Sequence, residues 1–82
     1  MNRELFLFTI PQSLDQENFI LDKILSRFPD LGDPVSYQVA HRSRYDVMII
    51  WFEDYKVVVK YDGKGEALAS ILNRRKEGAM ER

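Results

Sequence analysis

The chain has 82 residues, of which 45% are apolar, a formal net charge of −1 and no cysteine. This length fits one domain, so we expect residues 1–82 to form a single domain. The near-neutral charge argues against binding dominated by phosphate neutralisation. The lack of thiols excludes thiol catalysis and thiolate metal sites within the chain. One histidine leaves too few ligands for the common transition-metal sets, so we expect no metal and no cofactor.

The first residues do not resemble a targeting segment. Only six largely apolar residues follow Met1-Asn2-Arg3-Glu4, which is fewer than a signal peptide or a membrane span requires. Together with the absence of cysteine, this favours the cytoplasm and predicts no membrane insertion.

Residues 5–10, with the sequence LFLFTI, predict the first strand. Aromatic and β-branched residues dominate the run, and Pro11 ends it. Both alternating sets of side chains are apolar, a pattern typical of a strand that is covered on two sides.

Residues 14–28 predict a helix. Ser13 and Gln16 have the spacing of a capping box, and Pro29 stops the helix. The apolar side chains recur at helical spacing. Phe19 falls outside this apolar stripe, so it is expected to point outward, where it either anchors a partner or packs under a neighbouring segment.

Three strands are predicted next, at residues 35–41, 47–52 and 55–61. The short links between them favour an antiparallel meander. Residues 47–52 are again apolar on both sides, whereas the other two runs alternate more clearly between apolar and polar side chains.

Residues 65–77 predict a second helix. Helical spacing relates four apolar residues, Ala67, Leu68, Ile71 and Leu72. Basic residues in the expected last turn suit the helix dipole, and Gly78 is a typical stop. Residues 77–82 are expected to fray.

These elements predict a two-layer α+β domain of order β-α-β-β-β-α, with a four-stranded, mainly antiparallel sheet and both helices on one face. Two helices cover only one face, yet two strands are apolar on both. The apolar strand surface that the helices leave uncovered predicts an exposed apolar patch. In soluble proteins such a patch marks an interface. We therefore expect a small non-enzymatic interaction or regulatory module that forms a homodimer or binds a protein partner. The side chains expected at that interface are Phe6, Phe8, Phe19, Met48, Trp51 and Phe52.

Nucleic-acid binding is the first alternative. The predicted order helix–three strands–helix, over residues 14–77, is similar to that of the double-stranded RNA-binding domain. That family's Lys-rich run would correspond to residues 63–68, which hold one Lys and one Glu. Binding of RNA or DNA would then use a basic surface formed by Arg42, Arg44, Lys64, Arg74, Arg75 and Lys76.

A nuclease-like site is the second alternative. His41 is the only side chain whose ordinary pKa suits acid–base work near neutral pH. Arg42 and Arg44 could hold a phosphate beside it, with Tyr45 next in sequence. The same segment also fits a solvated hairpin turn. Residues 62–66 contain residue types found in calcium and phosphate loops, but they have the spacing of neither motif.

Overall fold

The computed structural model describes residues 4–11, 15–62 and 64–74. The described residues form five strands, one α-helix and a short 3₁₀ helix. In chain order they are β1 (Glu4–Thr9), α1 (Gln16–Arg27), the 3₁₀ helix (Pro29–Leu31), β2 (Ser36–His41), β3 (Asp46–Trp51), β4 (Tyr55–Tyr61) and β5 (Glu66–Asn73).

The five strands form one sheet of order β1-β5-β4-β3-β2, and every neighbouring pair is antiparallel. Strands β2 to β5 therefore form a meander, as short links between antiparallel strands allow. Strand β1 lies at the far edge, beside β5, with Phe6 opposite Ala69.

The prediction of four strands and two helices was wrong. The second helix, predicted at residues 65–77, is instead strand β5 up to Asn73. The apolar residues of this segment fit both periods, because Ala67, Ala69 and Ile71 also alternate with Leu68, Ser70 and Leu72. The strand form bridges β4 and β1 through two backbone ladders, which pairs the backbone groups of β5 on both sides and those of β1 that face β5. The likeness in element order to the double-stranded RNA-binding domain disappears with this helix.

The first helix is present and begins at Gln16, with Asp15 as its N-cap. The Asp15 carboxylate accepts hydrogen bonds from the backbone N–H groups of Glu17 and Asn18, at 3.1 and 3.4 Å, which satisfies donors that the first turn leaves free. Ser13, the predicted cap, lies outside the described residues, as do Arg75, Lys76 and the predicted tail at 77–82.

The core lies between α1 and one face of the sheet, which we call the helix side. Ile20 and Ile24 of α1 are fully buried there. The buried side chains of the sheet come from alternate positions of their strands, as the period of two requires. They include Met48, Ile50, Val57, Val59, Ala67, Ala69 and Ile71.

Candidate functional site

The sheet face opposite α1, which we call the open face, is lined mainly by apolar side chains. No described helix covers it, because both α1 and Leu31 of the 3₁₀ helix pack on the helix side. The apolar members of the open face are Leu5, Leu7, Ala40, Val47, Ile49, Trp51, Val58, Leu68 and Leu72.

Strand register joins these side chains into one continuous surface. Side chains directly opposite each other on paired strands have Cβ atoms about 4.5–5.5 Å apart. One row across the sheet reads Leu7, Leu68, Lys60 and Val47, and the next reads Leu5, Ser70, Val58 and Ile49. Leu5 and Leu7 are 62% and 74% exposed. A contiguous apolar surface of this kind is typical of an interaction site.

Cations lie over the aromatic rings of the open face. The Lys56 ammonium and the Arg74 guanidinium each lie 5.3 Å from the centre of the Trp51 ring. Lys60 lies 5.2 Å from the ring of Tyr45. Such contacts contribute about 0.5–1 kcal/mol at exposed sites. They hold positive charge beside the apolar rows, where it favours an acidic group on any binding partner.

The structure separates the six side chains expected at the interface. Met48 and Phe52 are fully buried in the core. Phe6, Phe8 and Phe19 are half-buried on the helix side, where the rings of Phe6 and Phe8 stack at 5.1 Å and Phe19 lies 6.5 Å from Phe8. Trp51 alone among the six lies on the open face.

The open face also contains side chains that the sequence-based prediction left out. Leu68 and Leu72 were both assigned to the inner face of the predicted second helix. The signal that identifies them is the alternation of β5, in which every second side chain is buried.

The basic residues proposed for nucleic-acid binding lie at two ends of the sheet. Arg42 and Arg44 occupy the β2–β3 turn, and Lys64 lies in the β4–β5 turn at the same end. Arg74 follows β5 at the opposite end, where its Nη1 donates a 2.6 Å hydrogen bond to the carbonyl oxygen of Phe52. The described members of this set therefore do not form one patch.

His41 and Tyr45 are not brought together. The Nδ1 atom of His41 lies 2.8 Å from Oδ1 of Asp46, its cross-strand neighbour, on the helix side. Tyr45 lies on the other side of the sheet, under Lys60. Among the described residues, no three His, Asp or Glu side chains gather as a metal site would require.

Two side chains near this end of the sheet have shifted pKa values. Burial raises the pKa of Tyr61, and the nearby carboxylates of Asp46 and Glu17 raise it further. Hydrogen bonds from the backbone N–H groups of Glu66 and Lys64 lower the pKa of Asp62. At the end of β4, Tyr61 is therefore held in its neutral form and Asp62 in its ionised form.

A cleft of about 490 Å³ opens at the other end of the helix side, between the end of α1 and the sheet. Phe28, Leu31, Tyr55 and Ile71 form its apolar wall, and Glu4 and Arg27 contribute charges. The volume falls within the range of small-molecule sites. No charged side chain among the described residues is buried, so the charged groups of the cleft remain in contact with water.

No family model, curated protein or solved structure matches this chain. In the part of the chain that the structure describes, no helix is both long enough and apolar enough to span a membrane.

Proposed function

We propose that the protein is a small, non-enzymatic interaction module of the cytoplasm that binds another polypeptide through its open face. The observation that carries this proposal is the mainly apolar surface formed by β1, β5, β4 and β3, which no described helix covers.

The composition of the open face favours protein over other partners. The two apolar rows each contain one polar residue, Lys60 or Ser70, and protein interfaces combine apolar contacts with polar groups in this way. The open face includes Trp51, and tryptophan is among the residue types that most often dominate the binding energy of protein interfaces. Each square ångström of apolar surface removed from water contributes about 25 cal/mol, so covering the half-buried Val58 and Ile49 favours association.

The test is a charge placed at the centre of the open face. Val58→Lys puts an ammonium group between Ser70 and Ile49, where a partner would have to desolvate it. Ser26→Lys, on the exposed side of α1, is the matched control. We expect Val58→Lys to retain the circular dichroism of the wild type but to lose the proteins that the wild type captures from the source cell. Ser26→Lys should retain them. Unchanged binding by Val58→Lys would contradict the proposal.

Single-stranded nucleic acid is the second candidate, and one observation favours it. Two cations, Lys56 and Arg74, each lie 5.3 Å from the centre of the Trp51 ring, and proteins that bind single strands combine aromatic stacking with nearby cations. Binding of this kind should weaken steeply as salt rises. Failure of the wild type to bind a labelled oligonucleotide or heparin at low salt would exclude it. Trp51→Ala should abolish any binding that depends on stacking.

A further inference from the structure

Strand β1 lies at the edge of the described sheet, with β5 on one side. The backbone N–H of Ile10 donates to the carbonyl oxygen of Gly65 at 2.7 Å, just beyond the last paired residues of β1. Since backbone groups in an antiparallel pair point alternately toward and away from the neighbour, the even-numbered residues of β1 bond to β5. The N–H and C=O groups of Leu5, Leu7 and Thr9 therefore point to the free edge.

Along residues 5–9, this edge lacks the features that usually prevent pairing with another chain, and the one charge of β1, Glu4, lies at the start of the strand. Natural edge strands are protected by lysines, prolines, bulges or inward charges. Residues 5–9 read LFLFT and contain none of these, while Pro11 lies beyond the strand. The opposite edge strand, β2, differs because it places the polar side chains of Ser36 and Gln38 on the open face.

We propose that β1 pairs in antiparallel fashion with β1 of a second copy, which produces a continuous sheet of ten strands, five from each copy. The two-fold axis passes between the two Phe6 residues. Leu5 of each copy then lies opposite Leu7 of the other, with the free backbone groups of both strands hydrogen-bonded. This contact goes beyond binding by the open face, because it is made by the backbone at the sheet edge.

Charge complementarity favours a second copy in this register. Glu4, the one charged residue of β1, comes to lie opposite Phe8 of the second copy. Phe8 packs near Phe19, and the Lys23 ammonium lies 5.8 Å from the Phe19 ring. Each Glu4 carboxylate thus lies on the same side of the joined sheet as α1 of the other copy, the helix that carries Lys23. The alternative register, with the two Leu7 residues opposite each other, moves Glu4 on to Ile10 and away from that lysine.

Cysteine cross-linking tests the register directly, because the chain has no native cysteine. Leu5 and Leu7 are both mostly exposed, so Leu5→Cys and Leu7→Cys should fold. In the proposed pairing, residues 5 and 7 of different copies have Cα atoms about 5.5 Å apart, within disulfide range. Identical positions lie about 8 Å apart, outside that range.

We expect a mixture of the two variants to form a disulfide-linked heterodimer under mild oxidation, and each variant alone to form much less. Efficient self-cross-linking of Leu7→Cys would overturn the proposed register. A wild type that stays monomeric in sedimentation equilibrium at high concentration, with no cross-linking of the mixture, would overturn edge pairing altogether.

A pair of further variants separates edge pairing from binding by the open face. Leu7→Pro removes an outward-pointing N–H and leaves the ladder to β5 intact, a position where edge strands tolerate proline. We expect it to weaken dimerisation by about ten-fold or more, whereas Val58→Lys should leave the dimer unchanged. A dimer that Val58→Lys abolishes and Leu7→Pro retains would overturn edge pairing while supporting the open face as the interface.

Discussion

Ile49 and Ile50 provide a direct comparison of the two faces of the sheet. They are neighbours in β3, and Ile50 is fully buried under α1 opposite Val57, whereas Ile49 is half-buried on the open face opposite Val58. Replacing either by alanine removes the same carbon atoms. In the core, the lost transfer energy is about 0.8 kcal/mol per methylene, and the cavity adds to it, for a total of about 3 kcal/mol. On the open face, water fills the space, and we expect a loss of about 1 kcal/mol.

The measurement is urea unfolding at a protein concentration low enough to keep the chain monomeric, with equal slopes required of both variants. A domain of this length has a stability of about 4–12 kcal/mol. Ile50→Ala should therefore lose a large part of it and melt about 12–24 °C lower, against about 4–8 °C for Ile49→Ala. Equal losses in the monomer would show that the open face is already covered within one copy, which would refute the basis of the proposed function.

Three further predictions concern the β4–β5 turn and its surroundings. Gly65→Ala should cost about 1–3 kcal/mol in urea unfolding, since Gly65 has a φ of +97° and a Cβ there would lie 3.0 Å from the carbonyl oxygen of Ile10; Gly32→Ala, at φ +84° with no atom within 4 Å, should cost less. Because the pKa of Tyr61 is raised, the unfolded state loses this proton first, so stability should fall as pH rises above the ordinary value of 10.0. Tyr61→Phe should remove both this fall and one late-ionising phenol from an absorbance titration. Because the pKa of Asp62 is lowered, its contribution should be present above the ordinary value of 3.8 and disappear as pH falls through its folded value; Asp62→Asn should flatten this acid limb of the unfolding curve.

Each of these predictions has an outcome that contradicts it. Equal losses for the two glycine variants would show that the contact with Ile10 is unimportant. An alkaline titration of Tyr61→Phe that matches the wild type would place the late-ionising phenol elsewhere. An unchanged acid limb in Asp62→Asn would mean that the hydrogen bonds from Lys64 and Glu66 do not favour the carboxylate.

Much of the fold could be predicted from the sequence where one period dominates. Residues 16–27 place apolar side chains at helical spacing only, and 55–61 alternate clearly, so α1 and β4 were predicted close to their observed bounds. The segment 66–73 was mistaken for a helix because its apolar residues satisfy both periods. Its strand form depends on pairing with β1, which is more than fifty residues away in sequence. The apolar pattern within residues 66–73 carries no information about that pairing.

The sequence predicted an apolar sheet surface as the candidate site, but most of the side chains named for it lie elsewhere. An excess of apolar strand surface was visible in the sequence, yet residues 5–8 read LFLF and both alternating sets are apolar. Which set faces α1 depends on the contacts of Phe6 and Phe8 with Phe28 and Phe19, which only the packed structure shows. The same ambiguity in β3 left Met48 and Phe52 grouped with Trp51.

The position of β1 beside β5 has a consequence for the order in which the protein folds as it is made. Of the described strands, β1 is synthesised first, and β5, the strand it pairs with, is synthesised last. Contacts so distant in sequence form slowly, so the nascent chain presents its LFLF segment for the whole time that β2 to β4 are made. During that interval the exposed apolar segment is prone to aggregate, and we expect chaperones to bind the nascent chain at this segment.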